Sequence, residues 1–194
     1  MSPTPNRTWT VASAVIEVDA LIGGSEAPWA ADGPSPGTGS PSVDPPDAVL
    51  LVENLRRNGT SDWTPPGGVV DAGERPLDGL AREVAEETGL RVVEWAGLLY
   101  EIVAEAPDLG WTMRVEVHRA SAVDGRVEIG ADPDGIVIGS AWAATPRCVD
   151  LLVGAHQWVR EPLLDWMRER WSDPRSYGYR ILGSTSESFS VERL

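Results

Sequence analysis

The sequence predicts an α/β fold in which helices cover a mixed β-sheet. Segments with strand-like and helix-like patterns occur both early and late along the chain, which favours a mixed sheet over separate β and α regions. The chain has 194 residues, of which 42% are hydrophobic and 24% charged. This composition suits a single domain, so we expect residues 1–194 to share one core.

The N-terminal part is predicted to hold two strands separated by a long loop. Residues 8–18 are rich in β-forming side chains, and residues 48–53 form a short apolar run of the length of a buried strand. Residues 19–47 between them consist largely of Gly, Pro, Ser and Ala, which predicts a flexible loop. Disorder is favoured over a lid or a dimer arm for this loop. Residues 63–68 read as a polar turn that ends in two glycines.

The rest of the chain alternates strands and helices. Helical periodicity is clearest over residues 77–88. Further strands are predicted at residues 91–105, 111–120, 135–144 and 177–182. Further helices are predicted at residues 147–153 and 161–171, the second with Pro162 in its first turn. Residues 107–110 carry a turn signature that makes a hairpin of the first two strands, and residues from about 172 are a C-terminal extension.

Charge and composition exclude several classes of partner. The formal net charge is −14, and all sixteen basic residues are arginine. Binding duplex nucleic acid or an anionic membrane requires clustered cations, so we expect neither partner. No apolar stretch reaches the roughly 20 residues of a membrane span, and no signal-peptide pattern is present, which predicts a cytoplasmic protein. The single Cys148 is predicted to be a buried, inert thiol.

The predicted helix over residues 77–88 separates an apolar stripe from an acidic face. At about 100° per residue, Leu80 and Val84 fall on one side. Glu83, Glu86 and Glu87 share another face within a single turn, where like charges repel each other. A divalent cation would relieve this repulsion, and Mg²⁺ prefers such oxygen ligands together with substrate phosphates.

The loop that enters this helix supplies the other parts of the predicted site. Glycines around residue 68 let the backbone approach a ligand closely and offer carbonyl oxygens to a metal. Gly79 lies among the carboxylates and is expected to leave open space above the helix. Arg82 is placed to reach back to Glu74, and we interpret that pair as a brace between loop and helix.

The stretch from Gly68 to Leu90 resembles the signature of the Nudix hydrolases. It reads Gly, five residues, Glu, seven residues, then Arg-Glu-apolar-any-Glu-Glu-any-Gly-apolar, and every fixed position is met. The resemblance implies an α/β/α sandwich with a mixed sheet, a loop–helix–loop motif, and hydrolysis of a nucleoside diphosphate linked to another group. It implies Mg²⁺ as the cofactor, with Mn²⁺ as a substitute.

Carried over position by position, the resemblance assigns roles within this stretch. Glu83, Glu86, Glu87 and the carbonyl of Gly68 match metal-binding positions. Glu74 and Arg82 match the loop-bracing pair. The base that activates water is predicted to be Glu86 or Glu87. Because this base sometimes lies outside the motif in the family, three further candidates stay open: Glu105, Glu116 and Glu128.

Residues outside the motif give a weaker prediction of substrate contacts. The candidates are Arg56, Arg57, Trp63 and Trp111. The arginines are suited to bidentate phosphate contacts, and tryptophans at loop–strand junctions are suited to stacking on a base. Trp29, in the 19–47 loop, is a further candidate for stacking or capping. Most other tryptophans, including Trp9, are predicted to lie in the core.

Three functions follow from this pattern. The first is a pyrophosphohydrolase of a small nucleotide such as ADP-ribose, another nucleotide sugar or an oxidised nucleoside triphosphate. The second is a nucleotide-binding sensor that has lost turnover, which the intact glutamate set disfavours. The third is an RNA-cap hydrolase, which the absence of a basic stripe disfavours. The sequence leaves a homodimer open.

Overall fold

The computed structural model describes residues 6–22, 47–130, 133, 135–185 and 188–194. Most of the predicted 19–47 loop, Trp29 included, lies outside these residues. The flexible loop was predicted to begin at residue 19, but residues 19–22 are part of the folded structure. Residues Val18–Ala20 form a turn of 3-10 helix, Ala20 is buried, and the amide of Ile22 donates to the carbonyl of Val123 at 2.9 Å.

The described residues form nine strands and three α-helices. The strands are β1 (Arg7–Val15), β2 (Val49–Leu55), β3 (Ser61–Thr64), β4 (Gly67–Val69), β5 (Arg91–Ala106), β6 (Trp111–Asp124), β7 (Val137–Ala143), β8 (Arg175–Thr185) and β9 (Ser188–Arg193). The helices are α1 (Pro76–Thr88), α2 (Thr145–Leu151) and α3 (Gln157–Glu169).

The strands divide into two sheets. The larger sheet has the order β4-β1-β6-β5-β8-β9, and the smaller one has the order β3-β2-β7. In the larger sheet β1 runs parallel to β6 and β5 runs parallel to β8, while its other pairs are antiparallel. The predicted mixed sheet and α/β class are confirmed, and the predicted β5–β6 hairpin is present.

Two hydrophobic cores lie on opposite faces of the larger sheet. One contains Leu80 and Val84 of α1, together with the even-numbered face of β1 at Ala12 and Ala14. The other packs α3 and β2 against Tyr100 and its neighbours on β5 and β6. Alternation of side chains along each strand produces this division, and it places α1 and α3 in separate layers.

The structure extends or adds elements that the sequence pattern hides. β3 is four residues long, and β4 is Gly-Gly-Val, so neither carries a recognisable alternation. The helix predicted from residue 161 begins at Gln157, because the buried Trp158 anchors an additional turn before Pro162. At the C-terminal end, β8 pairs with β5, and β9 follows it on the sheet edge.

A buried carboxylate fixes the junction between β1, β6 and α3. Glu17 is only 3% exposed, and its carboxylate pairs with the guanidinium groups of Arg119 and Arg170. Arg170 also donates to the carbonyl of Asp47 at 3.1 Å. These bonds hold residue 47, where the described chain resumes, against the end of α3.

Cys148 confirms the prediction of a buried thiol. Its side chain is fully buried on α2, and the Sγ donates to the carbonyl of Ala143 at 3.2 Å. Burial raises the pKa of this thiol to about 12. Within the described residues, none of the helices is long and apolar enough to span a bilayer.

Candidate active site

The motif helix α1 has well-defined ends. Pro76 occupies its first turn, where a missing amide hydrogen costs nothing. Gly89 ends it in the left-handed conformation, with φ of 73° and its amide donating to Ala85. Leu80, Val84 and Thr88 are buried beneath it. This orientation leaves the glutamate face directed away from the core.

Two adjacent glycines in β4 hold the carboxylates of α1 close to the backbone. The amide of Gly67 donates to Oε2 of Glu87 at 2.8 Å. A Cβ on Gly67 would lie 2.2 Å from the carbonyl oxygen of Ala12, so a side chain there is excluded. A Cβ on Gly68 would lie 2.5 Å from the carboxyl group of Glu83. Because residue 68 has no side chain, the carboxyl group of Glu83 can lie directly against the backbone of β4.

Arg82 lies among three of the carboxylates. Its Nη1 donates to Glu83 at 2.9 Å and to Glu86 at 3.0 Å, and its Nη2 donates to Glu74 at 3.3 Å. The predicted contact between Arg82 and Glu74 is thus present. The contacts to Glu83 and Glu86 are additional, and they reduce the repulsion between the two carboxylates.

This charge arrangement shifts the pKa of both members of the brace. The hydrogen bond from Arg82, assisted by one from the amide of Asp71, lowers the pKa of Glu74. The hydrogen bonds to Glu74 and then to Glu83 raise the pKa of the Arg82 guanidinium. Arg82 therefore stays a cation and Glu74 an anion over the whole neutral range.

The expectation of open space above Gly79 is wrong. A Cβ at that position would lie 2.6 Å from Oε2 of Glu74, so the carboxylate of the entering loop fills the space. Because Gly79 has no side chain, the carboxylate of Glu74 can lie against the helix backbone, where it accepts hydrogen bonds from Arg82. The helical wheel places Gly79 on the correct face but carries no information about the loop.

The carboxylate cluster has the chemistry of a divalent-cation site. Its donors are oxygen atoms, and the side chains of Glu83 and Glu86 are 20% and 33% exposed, so both are open to solvent. Two of these carboxylates already share one cationic group, Arg82. Within the described part of the chain, no three Asp, Glu, His or Cys side chains are so placed that together they could hold one metal ion. The residues fit Mg²⁺ because their donor atoms are oxygens and because the Glu83 carboxyl group lies against the backbone of Gly68.

The three alternative bases occupy different places relative to this cluster. Glu116 stands in register with Ala12, which is itself in register with Gly68, and its carboxylate contacts His118 at 3.1 Å. Glu128 lies at the C-terminal end of α1, where its amide donates to Thr88. Glu105 pairs with Thr112 farther along β5. Of the three, Glu128 contacts the motif directly, while β1 separates Glu116 from Gly68.

A cavity of about 280 Å³ opens beside Gly67, and we call it the inner cavity. Its sheet wall is formed by Val11, Ser13, Tyr100, Ile102, Met113, Val115 and Val117. Its opposite wall is formed by His156, Trp158 and Val159 at the start of α3. Polar groups come from β2 and β3, where the amide of Asn54 donates to Thr64 at 3.0 Å.

The aromatic wall of the inner cavity is layered. The rings of His156 and Trp158 stack with centroids 4.2 Å apart and planes 14° apart. Phe189 of β9 packs against both rings, at 5.8 Å from His156 and 6.4 Å from Trp158. A flat apolar wall beside a carboxylate cluster suits a ligand that is planar at one end and anionic at the other.

The four predicted substrate residues lie in different places. Arg56 lines the inner cavity, where Asp62 holds it through bonds of 2.6 and 2.8 Å. Arg57 lines a separate open groove with Gly59. Trp63 packs against the hydrophobic core without lining the cavity. Trp111 packs against Trp9 with ring centroids 5.3 Å apart.

The sequence alone does not indicate the cavity wall. His156 and Trp158 fall between the two predicted helices, and Phe189 belongs to a strand that the sequence pattern misses. Phe189 is far from His156 and Trp158 in sequence, and the three rings meet because α3 packs against the sheet of which β9 is the edge strand. The aromatic spacing at residues 156 and 158 is the one local signal that could have drawn attention to this wall.

The fold and the loop–helix–loop arrangement define an α/β protein with a carboxylate site on one helix. The family model for the NUDIX domain matches residues 35–165. The chain therefore belongs to the Nudix family, as its resemblance to that family implied.

Curated relatives match over shorter stretches. A MutT-like protein of Streptomyces ambofaciens is 53% identical over 46 residues, which cover 24% of this chain and 29% of that protein. An RNA pyrophosphohydrolase of Rhizobium meliloti is 42% identical over 60 residues, which cover 30% of this chain and 32% of that protein. These matches span about a third or less of each relative.

Solved structures share the fold over most of the chain. A mutator MutT protein from Bacillus halodurans aligns with a TM-score of 0.56 at 18% identity, over 95% of this chain and 97% of that one. A NUDIX hydrolase from Nitrosomonas europaea aligns with a TM-score of 0.53 at 22% identity, over 86% and 87%. At these identities the likeness is one of fold.

Proposed function

We propose that this protein is a Mg²⁺-dependent hydrolase that cleaves the pyrophosphate linkage of a small nucleoside diphosphate derivative. The observation that carries the proposal is the seating of the α1 carboxylates against Gly67 and Gly68, immediately beside the inner cavity. Nudix family members generally use divalent metals. ADP-ribose, other nucleotide sugars and oxidised nucleoside triphosphates are the candidate substrates.

Glu83, Glu86, Glu87 and the carbonyl of Gly68 would hold the metal. When bound, Mg²⁺ neutralises phosphate oxygens and lowers the pKa of a coordinated water. The reaction forms a bond from the water oxygen to phosphorus as the bridging P–O bond breaks, and the bridging oxygen leaves with the second phosphate. Glu86 or Glu87 accepts the proton of the attacking water.

The remaining residues of the motif keep this arrangement in place. Arg82 holds Glu83 and Glu86 on one side of the helix, and the Glu74 brace keeps the entering loop against α1. The inner cavity receives the nucleoside end of the substrate. Its layered wall of His156 and Trp158 provides a flat surface for a base, and Arg56 at its edge is suited to a phosphate.

The names of the relatives include both a MutT-like protein and an RNA pyrophosphohydrolase, whereas the net charge favours a small nucleotide over RNA. MutT-like and RNA pyrophosphohydrolase are the names of the partial matches, and both describe Nudix proteins. A net charge of −14 opposes a long anionic track, so a small nucleotide is the better fit. The motif itself is acidic, so a divalent cation between its carboxylates and the substrate phosphates would remove their mutual repulsion.

The proposal is tested by measuring phosphate or AMP release from a panel of nucleotides with and without Mg²⁺. We expect turnover of one or more small nucleotides that stops when the metal is chelated. Substituting Glu83→Gln, Glu86→Gln or Glu87→Gln should lower kcat/KM by about 100-fold or more, because each removes a negative charge from the site. The exposed Glu94→Gln on β5 is the matched control and should behave as wild type.

Circular dichroism on each variant separates loss of chemistry from loss of fold. Full activity in all three folded glutamine variants would refute the proposal. Tight nucleotide binding without turnover in the wild type would favour a sensor instead. Preference for capped RNA over every small nucleotide would identify the RNA-processing alternative.

A further inference from the structure

A second cavity lies at the C-terminal end of α3, and we call it the arginine recess. It has a volume of about 330 Å³ and lies between residues 96–99 of β5, Arg119 of β6, Trp166 of α3 and residues 170–172. It shares no lining residue with the inner cavity and none with the motif. Trp166 follows Trp158, a wall residue of the inner cavity, by about 12 Å along α3. The two cavities are therefore separate sites on one helix.

The charge of the arginine recess differs from that of the protein as a whole. The chain has 30 acidic residues and 16 basic ones. Two arginines, Arg119 and Arg170, line the recess, and none of the described residues that line it is acidic. Two carboxylates contact these arginines from outside the walls. Glu17 is buried and pairs with both, and Asp47 lies 3.8 Å from Nη2 of Arg170 and is 52% exposed.

Glu17 occupies one edge of the Arg119 guanidinium and leaves another edge available. Its Oε2 accepts a hydrogen bond from Nε at 2.8 Å and lies 2.7 Å from Nη2. The Nη1 group of Arg119 makes no hydrogen bond to any described residue, and the side chain is 38% exposed. The edge between Nη1 and Nη2 therefore remains free to donate two parallel hydrogen bonds. That geometry matches two oxygens of a carboxylate or a phosphate.

Arg170 contributes a positive charge that is fixed in place. Its Nε donates to the carbonyl of Met167 and its Nη2 to the carbonyl of Asp47, both at 3.1 Å, while Nη1 pairs with Glu17. Its guanidinium also lies 4.4 Å from the ring centroid of Trp166. The carbonyl end of a helix repels anions, and Arg170 covers that end of α3. Its φ of 54° is left-handed, so these contacts hold a strained residue in position.

The walls of the recess also contain polar groups that the described residues leave unpaired. β8 begins to pair with β5 only at Tyr100, so residues 96–99 have no described strand beside them on that edge. Trp171 donates to the carbonyl of Leu99 at 3.1 Å. Trp166 is 2% exposed, and its Nε1 has no hydrogen-bond partner among the described residues. Burying an N–H without an acceptor is unfavourable, so this wall has unused capacity to donate hydrogen bonds.

We propose that the arginine recess binds a small acid, whose carboxylate or phosphate group accepts two hydrogen bonds from the Nη1–Nη2 edge of Arg119. The exposed Ser172 at the rim offers a hydroxyl to the same group, and the rest of the molecule lies against residues 96–99. The volume of the recess is at the lower end of the range for small-molecule sites. This site uses no residue of the motif and no metal, so the inference is independent of the hydrolase proposal.

The test measures the Tm of the full chain as phosphate or succinate is added, with EDTA present and ionic strength held constant with sodium chloride. We expect a saturable rise of about 3 to 5 °C at tenfold above the Kd, with one or both anions. Arg119→Lys keeps a cation beside Glu17 but has no second edge, so this rise should be lost. Arg91→Lys is the matched control, because Arg91 pairs with Asp124 outside both cavities, and it should keep the full rise.

Ser172→Asp gives a second test if Arg119→Lys is unstable. Residue 172 is exposed, so the fold tolerates a carboxylate there, and that carboxylate should reduce the rise by repelling the anion. A response to phosphate alone would identify a phosphate group as the ligand, and a response to succinate alone a carboxylate. The inference is overturned if neither anion gives a saturable rise or if both recess variants keep the full rise. Loss of the rise in Arg56→Gln would also overturn it, by placing the anion in the inner cavity.

Discussion

Arg82 organises the acidic face of α1 through a geometry that lysine cannot reproduce. Its planar guanidinium donates to Glu83 and Glu86 through Nη1 and to Glu74 through Nη2 and Nε, and a single ammonium group has no such fork. The group is one-third exposed, so solvent screens each ion pair and the pairs contribute little to stability individually. Its contribution lies in the placement of carboxylates.

The Glu74 brace should give the protein a characteristic response to acid. Because Arg82 lowers the pKa of Glu74 below its ordinary value of 4.5, the stabilisation is complete above that value. It is lost as the pH falls through the lowered pKa of the folded state. We expect the Tm difference between wild type and Glu74→Gln to be largest near pH 7 and to shrink below about pH 4.5, as thermal unfolding will show.

Arg82→Gln provides the control for this acid response. In that background the Glu74→Gln substitution should produce a Tm change that is nearly independent of pH. A persistent pH-dependent difference would mean that Glu74 gains its low pKa elsewhere.

Gly68 should be intolerant of a single methyl group for reasons of catalysis. A Cβ there would displace the carboxyl of Glu83, which sits 2.5 Å from that point. We expect Gly68→Ala to lower kcat/KM by about 100-fold, since a displacement of about 1 Å in a catalytic group has that effect. The Tm should change little, because the displaced atoms are the end of a flexible side chain.

Gly154→Ala is the matched control for Gly68→Ala. Its Cβ would meet only the carbonyl of Ser61, at 3.9 Å, and its backbone is not left-handed. Activity and Tm should both stay near wild type. Equal losses in the two variants would assign the Gly68 effect to general destabilisation.

At the scale of elements, the sequence predicts α1 well and predicts the smaller strands poorly. Leu80 and Val84 repeat at helical spacing, and Gly89 provides the stop signal, so the helix follows from local pattern alone. β3 and β4 form because β2 and β1 offer them hydrogen-bonding edges, a long-range property with no local signature. The motif glutamates could be listed from sequence, while the contacts of Arg82 to Glu83 and Glu86 needed the three-dimensional arrangement.

β9 should affect substrate binding although it lies far from the motif. Its Phe189 packs against the His156 and Trp158 wall, so removing the ring leaves that wall unsupported. We expect Phe189→Ala to raise KM by roughly threefold to tenfold with a smaller change in kcat. Steady-state kinetics on the best nucleotide of the panel will measure both constants.

Leu194→Ala tests whether any truncation at this edge has the same effect. Leu194 is 64% exposed and contacts Gly178 on β8, away from the aromatic wall. Its KM should match that of the wild type. A fall in kcat of Phe189→Ala with an unchanged KM would contradict a wall function.

For the whole molecule, the junctions on either side of residues 23–46 are part of the fold. Ile22 bonds to Val123, and Asp47 bonds to Arg170, while Val18 and Ala48 are joined at 3.1 Å. We expect a short Gly-Ser linker in place of residues 23–46 to leave Tm within about 2 °C of wild type, as measured by calorimetry.

Extending this replacement into the turn should behave differently. Ala20 is buried, and Leu21 forms a bridge to Val123, so removing residues 19–22 as well should lower Tm by about 4 °C or more. A large loss from the shorter replacement would show that residues 23–46 contribute to the folded core.

The buried thiol of Cys148 can be used to measure local opening of the fold. It is the one sulfhydryl in the chain, and it lies where α2 meets β7, bonded to Ala143. An alkylating reagent can reach the thiol only when that junction separates, so the rate of modification reports the rate or the extent of local opening. Cys148 shares a hydrophobic core with Tyr100 and Trp158, which line the inner cavity. Comparing the modification rate with and without nucleotide would therefore reveal whether a ligand in that cavity slows local opening of the shared core.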